Sequence, residues 1–596
     1  MCYAVSDETR YFCKKQTSME INRPINRRIS RYMKKQLLTA VVFALIGFLA
    51  AAQPWMMRPQ GPVNEFSALD GTSVLNYNMV PERNVHSRAG FGPAFYIFPD
   101  GRLDNKQALE LARRLNLTDI IQEYGGRIMV VNPASDKWQD QDLEAFTRLI
   151  GMGGAPTNVK VVGIGSGATF VNRQLAATDL TGVIAGIVSI DGEPGKVCKF
   201  PVPAFIGGKN AAKAAKPYQE ASDAAPADPL QKVVINTDRK ASLEMLFAQA
   251  WDDVLSANYR YNNLFRTFYM SRGIDNPEGV KNFELVSIPV FDKLGIQRNV
   301  VEYPLVDMNA PSRPENPDKY LWYEYIPKQA QDAAPGTVPL VVLLHGHGND
   351  PRTQSETSGF PELAAEEGFM VVEMEWQGGN GYVPMGLDGI EAVISVLREK
   401  YPQIDGSRIY AEGLSAGAMT SNMLGVRKSH LFAAVAGHSG GIFSGNGLGY
   451  YAYGSEPLMN EAIQKRGHVE VGYCSVVGTH DDTIRFFNQD NWEGSPYLNV
   501  WRIYETVNDM PVTGDLDFSV DPTFGFALRD RKQIHTGKSE DITIEFGQLY
   551  KDEKPMIRLM VIDHYGHWNF KPAARLIWDF FRHFSRDTET KELRYQ

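Results

Sequence analysis

Gly413-Leu414-Ser415-Ala416-Gly417 sets a serine between small residues in the pattern G-x-S-x-G. A serine hydroxyl becomes an effective nucleophile when a neighbouring base removes its proton. The chain offers such a base further on: "MIRLMVIDHYGHWNF" carries His564 and His567 after an apolar run. Between them in sequence, "EVGYCSVVGTHDDTIRF" carries Asp481 and Asp482 after another apolar run. Serine, aspartate and histidine in that order suit acyl transfer. The serine attacks, the imidazole takes and returns the proton, and the aspartate fixes the imidazole tautomer. Ser415, Asp481 and His567 are the preferred set, because Asp481 closes a G-T-x-D turn; His564 and Asp482 are the fallbacks.

Acyl transfer also needs donors for the oxyanion. One is expected at the backbone N–H of Ala416, where a helix begins, and the other on the loop near His347 in His345-Gly346-His347-Gly348. Two histidines so close invite a metal reading, but neither H-E-x-x-H nor C-x-x-C occurs in the chain. No metal and no cofactor is expected.

These groups must be carried on strand ends. Val338–Leu344 is a continuous apolar run ending in glycines, as suits a strand buried on both faces. Helical and strand-like segments alternate after it through "FMVVEMEW", "GLDGIEAVISVLREKY" and "RIYAEGL", which predicts βαβ units and a mostly parallel sheet. The first half repeats this order from "PAFYIFPDG" through "RIMVVNPAS" and "NVKVVGIGSG". Gly163, Gly167, Ala168 and Asn172 fall at the offsets of Gly413, Gly417, Ala418 and Asn422, with Gly165 in the place of Ser415. Of the 11 histidines none lies between His86 and His345, so the first half has no histidine after its Gly165 turn to complete a Ser-His triad in the same chain order. The predicted class is α/β: two tandem α/β-hydrolase-like units, residues 53–300 catalytically degenerate and 301–596 catalytic. Residues 209–232 read as an Ala/Lys/Pro-rich insertion. Residues 307–319 read as a connection between two antiparallel strands, and about 500–550 as a cap or loop beside the site.

"PLVVLLHGHG", "IDGSRIYAEGLSAGAMTSNML", "VVGTHDD" and "YGHW" resemble the secreted esterases related to polyhydroxybutyrate depolymerases and feruloyl esterases, over roughly residues 320–583. The chain departs from that family's pattern at Val477, where the family has histidine in H-G-x-x-D. It departs again at Trp568, which follows His567 without the usual intervening residue. The resemblance implies hydrolysis of carboxylic esters, of feruloyl or acetyl groups on plant polysaccharide or of polyester type.

The net charge of −9, with no basic stripe carrying interleaved aromatics, excludes a general nucleic-acid binder. From Met33, two lysines, an apolar run from Leu37 to Leu49 and small residues Ala50–Ala52 follow the order of a secretory signal. That run is shorter than the ~20 residues of a membrane span. Residues 33–52 are read as a signal peptide, 1–32 as an upstream extension, and the protein as exported, without a stable membrane span. The mature chain would keep Cys198 and Cys474, whose pairing the sequence leaves open. Two other readings stand beside the serine esterase. A serine peptidase of the prolyl-oligopeptidase type would call for a β-propeller where the first half shows α/β alternation. A non-catalytic binding protein is opposed by the intact Ser-Asp-His set.

Overall fold

In the computed structural model the described residues are 67–69, 76–81, 85–152, 158–260, 284–305, 319–378, 381–441, 456–481, 483–536 and 542–596. The signal-like segment 33–52, nearly all of 307–319 and Asp482 lie outside them. The described residues fall within one compact unit. No described helix is long and apolar enough to cross a membrane.

The first sheet holds β1 (Ser67–Leu69), β2 (Asn76–Met79), β3 (Ala94–Phe98), β4 (Arg127–Val131), β5 (Val159–Ile164), β6 (Ile184–Ile190), β7 (Ala204–Gly207) and β8 (Val233–Asn236). Their spatial order is β1-β2-β4-β3-β5-β6-β7-β8. The pairs from β4 to β8 are parallel, and β1 and β2 are antiparallel. Alternate residues of β3 enter different cores: Ala94, Tyr96 and Phe98 pack on one face, Phe95 and Ile97 on the other. Helices therefore cover both faces, which explains the unbroken apolar runs. A two-stranded pair, β9 (Asn258–Arg260) with β10 (Leu285–Ser287), follows.

The second sheet is built from β11 (Ile296–Pro304), β12 (Lys319–Pro327), β13 (Val338–Leu344), β14 (Met370–Met374), β15 (Ile404–Leu414), β16 (Ala434–His438), β17 (Gly472–Gly478), β18 (Arg529–Thr536), β19 (Ile542–Lys551) and β20 (Lys554–Ile562). A short pair near the C-terminus, β21 (Phe584–Arg586) and β22 (Leu593–Tyr595), stands apart. The ten strands run in the order β11-β12-β14-β13-β15-β16-β17-β20-β19-β18. The opening pair β11/β12 is antiparallel, as expected from sequence, and β14 to β20 are parallel. Shifted by ten, the first seven strands of this order repeat those of the first sheet.

Two expectations need correction. Residues 209–232 are not an insertion: helix Ala211–Ala214 and helix α1 (Lys216–Asp223) cross over from β7 to β8. Alanine and lysine are good helix formers, and Pro217 sits in the first turn, where proline is tolerated. The segment near 500–550 is not all cap or loop. It includes most of helix Pro496–Val507 and strands β18 and β19; β19 adds antiparallel to β20, and β18 adds antiparallel to β19. Its polarity comes from one-sided burial, since β19 alternates buried and half-buried residues over its first four positions. Cys198 and Cys474 are both free and buried, with burial raising each thiol to about 12.

Candidate active site

β15 ends at Leu414, and the chain turns at Ser415 into helix α3 (Ala416–Arg427). Ser415 holds φ 57° and ψ −116°, a conformation side chains rarely adopt. Bare glycines make so sharp a turn possible. A Cβ on Gly417 would lie 1.9 Å from the Leu344 carbonyl oxygen, and one on Gly413 2.4 Å from the Gly417 carbonyl carbon. The Ser415 N–H donates to the His438 carbonyl at 2.9 Å, and its own carbonyl accepts from Met419 N–H at 3.0 Å. Ala416 opens α3, where N–H groups and the helix dipole favour negative charge.

Parallel register brings the other groups to the same sheet edge. Leu344 pairs with Gly413, Leu414 with His438, His438 with Val476, and Gly478 with Ile562. The loops that follow β13, β15, β17 and β20 therefore emerge together at the carboxyl ends of the strands, where open α/β sheets place their sites.

Asp481 and His567 meet there. His567 Nδ1 is 2.8 Å from Asp481 Oδ2, and both residues are buried. The other carboxylate oxygen accepts from the N–H groups of Thr483 and Ile484, both at 2.9 Å. With Nδ1–H on the carboxylate, Nε2 is the acceptor nitrogen of the neutral ring. The histidine loop sits directly on the end of β17. The His480 N–H donates to Tyr565 O at 3.0 Å, and a Cβ on Gly478 would meet that same oxygen at 2.1 Å. The fallback His564 instead pairs with Asp563 at 2.5 Å and stacks on His480 with ring centroids 4.9 Å apart. The structure thus joins Asp481 to His567 and leaves His564 with a different carboxylate.

The loop after β13 lies beside the serine: a Cβ on Gly346 would be 3.7 Å from Ser415 Cβ. His345 is buried, with Nδ1 2.8 Å from the Gly346 carbonyl and Nε2 3.4 Å from Glu375, while His347 is exposed. Among the described residues no group of three or more His, Cys, Asp or Glu side chains is arranged to hold a metal ion.

Two residues of this site escape sequence reasoning. Gln377 grips the loop from both sides, donating to Gly346 O at 3.2 Å and accepting from Gly348 N–H at 2.7 Å. Its only signal is a polar residue just past β14. His438 ends β16, and burial, then the charge of His567, pushes its imidazole down to about 3. It stays neutral beside the pair, and a histidine closing an apolar strand was its sequence signal.

At the matching position of the first half, Gly165 has φ 56° and ψ −116°. Its N–H donates to Ile190 O at 2.8 Å, and its carbonyl accepts from Thr169 N–H at 3.0 Å. Asp100 leans over this turn. Its Oδ1 accepts from Ser166 N–H at 2.9 Å, and a Cβ on Gly165 would lie 2.5 Å from the Asp100 carboxyl carbon.

Residues 322–453 match the family model described as Esterase PHB depolymerase. That span holds the Gly346–Gly348 loop and the Ser415 turn, and ends before Asp481 and His567. A bifunctional acetylxylan esterase/xylanase of Neocallimastix patriciarum is 32% identical over 154 residues, which is 25% of this chain and 20% of the relative. Poly(3-hydroxyalkanoate) depolymerase C of Paucimonas lemoignei is 29% identical over 22% of this chain and 33% of its own length. Feruloyl esterase B of Thermothelomyces thermophilus is 28% identical over 22% of this chain and 47% of its own. The chain thus spans less than half the length of each of these relatives. A solved acetyl xylan esterase from Aspergillus awamori aligns with 48% of this chain and 99% of its own at 15% identity, with a TM-score of 0.33. Residues 322–453, which carry the serine turn, match the PHB depolymerase esterase model, and over a segment of the chain it is related to acetylxylan and feruloyl esterases and a PHB depolymerase.

Proposed function

We propose that the protein is a serine carboxylic ester hydrolase working through an acyl-enzyme. Ser415 attacks the ester carbonyl, and His567 takes its proton and returns it to the departing alcohol. Water then releases the acid by the same route in reverse. Asp481 holds the imidazole tautomer and stabilises imidazolium. The Ala416 N–H and the loop at His347 receive the oxyanion. The observation that carries this reading is the buried 2.8 Å Asp481–His567 pair, on loops leaving the same sheet edge as the strained Ser415 turn. The names of the relatives favour feruloyl, acetyl or polyester-type substrates. The signal-like order of residues 33–52 supports export.

The first half reads as a catalytically degenerate copy of the same α/β-hydrolase-like unit. Support comes from the shared strand order and from Gly165, which has the backbone of Ser415 without its hydroxyl. The Asp100 carboxylate also occupies the N–H that corresponds to the Ala416 donor. The division between the units falls just before Ile296, where β11 begins; a cut at residue 300 would split that strand.

Release of acid from 4-nitrophenyl acetate, methyl ferulate, acetylated xylan and a hydroxybutyrate oligomer tests the proposal, with wild type and Ser415→Ala run side by side. Turnover by wild type alone is expected, and the preferred ester names the substrate class. Equal turnover by Ser415→Ala would remove the mechanism. Turnover of no ester would favour the peptidase or the binding protein.

A further inference from the structure

Helix α2 (Arg352–Ser358) begins four residues after the loop Gly346–Gly348, and all seven of its residues are buried. Its start is pinned by Asp350, two residues past that loop in the chain, whose carboxylate takes Arg352 Nε at 2.9 Å and Nη2 at 2.5 Å. The same guanidinium reaches into the first half. Nη1 donates to the Ser87 carbonyl at 2.7 Å and also to the Ser87 hydroxyl. One turn further on, Glu356 accepts the Gly90 N–H at 2.6 Å, and Thr353 Oγ1 donates to Gly90 O at 3.2 Å. This contact leaves no room for a side chain: a Cβ on Gly90 would lie 2.4 Å from Arg352 Cβ and 2.7 Å from Thr353 N. Arg298 on β11 holds the same segment, donating to Ser87 O at 2.9 Å.

Other side chains of α2 hold the histidine loop. Gln354 donates to Glu412 at 2.8 Å, and its amide oxygen accepts from Asn569 Nδ2 at 2.9 Å. Thr357 Oγ1 accepts from the same Asn569 nitrogen at 2.8 Å. Asn569 lies two residues past His567, and its carbonyl accepts the Tyr565 hydroxyl at 2.6 Å. One short helix thus touches the first half and leads to both the Gly346–Gly348 loop and the His567 loop.

We propose that segment Ser87–Gly90 of the first half positions the active site through α2. Arg352 and Glu356 lock the helix. The helix sets loop Gly346–Gly348 through Asp350 and the His567 loop through Gln354, Thr357 and Asn569. This rests on the reading of Ser415, Asp481 and His567 as an ester-hydrolysing site. Arg352 and Glu356 are positioning residues, since they reach the chemistry only through the helix. Misplacement of reacting groups by an ångström lowers a rate by up to about 10²-fold, so a small shift of α2 suffices.

Gly90→Ala pushes the segment off α2, and Arg352→Lys keeps the charge but loses the guanidinium fork; the second serves if the first fails to fold. Val162→Ala, in the first half's own core, is the control for lost stability alone. Both test variants are expected to lower kcat roughly 10- to 100-fold, with KM changed less than about threefold if the effect is confined to the transition state. Val162→Ala should keep wild-type kcat at temperatures where it is folded. Hydrogen exchange should show lost protection at 346–350 and 565–569 in the test variants and not in the control. Unchanged kcat and protection in the test variants, or an equal fall in Val162→Ala, would overturn the proposal. If wild type hydrolyses no ester, the catalytic reading fails, while exchange still decides whether Ser87–Gly90 holds the two loops.

Discussion

At Ser415 the backbone and the side chain want different things. A φ of 57° with ψ −116° is strained for any residue bearing a Cβ, at about 1–3 kcal/mol, and is open to glycine. The first half has glycine at that turn, with the same dihedral angles. Ser415→Gly is therefore expected to stabilise the protein by ~1 kcal/mol over Ser415→Ala, both being inactive, as read by chemical denaturation. Equal stabilities would show that the turn is unstrained. The pairing of histidines makes a second prediction. Asp481→Asn removes the acceptor that fixes the His567 tautomer and should lower kcat about 10⁴-fold. His567→Ala should be as severe, whereas His564→Ala breaks only the Asp563 pair and should leave kcat within about threefold. A large loss in His564→Ala would reassign the base.

Among the elements, the strand-turn-helix at Ser415 was legible because it is local: an apolar run, a G-x-S-x-G and a helix-forming stretch lie within a few dozen residues. The preference for His567 over His564 had no such local warrant, because it depends on register. Which imidazole meets Asp481 follows from how β20 pairs with β17, across 86 residues of chain. Gln377, Asn569 and Arg352 were invisible for the same reason: single polar residues acquire a role only when the fold brings distant partners to them. The first half makes the point in reverse. The glycine at its Gly165 turn could be read directly, but Asp100, which leans over that turn, could not. Restoring the serine therefore should not restore chemistry. In a Ser415→Ala background, Gly165→Ser is expected to yield no ester turnover, because its Cβ would meet the Asp100 carboxyl carbon at 2.5 Å and no histidine follows this turn within the first half. Turnover in that double variant would mean the first half keeps a working site.

For the whole molecule, two large sheets bury carboxyl groups as well as hydrocarbon, and this gives stability a pH dependence of definite sign. Glu412 and Glu373 flank Leu343 on the two strands beside β13, both fully buried. Burial raises the Glu412 carboxyl to about 8, with the Gln354 hydrogen bond opposing, and holds Glu373 well above the usual carboxylate range, helped by the charge of Glu412. Within α2, Glu356 is likewise raised to about 7 by burial against the pull of Arg352. A raised acid binds a proton in the folded state that the unfolded chain has already lost. Its contribution is complete below the unfolded value near 4.5 and drains away as pH rises through the folded value near 8. Glu412→Gln keeps the shape and an acceptor for Gln354 but cannot ionise. The variant should gain on wild type steadily from pH 5 to pH 8, by on the order of a few kcal/mol over the window. Tm measured against pH for the two proteins checks this: curves that diverge toward high pH fit a neutral buried Glu412, and parallel curves would mean that it is ionised throughout.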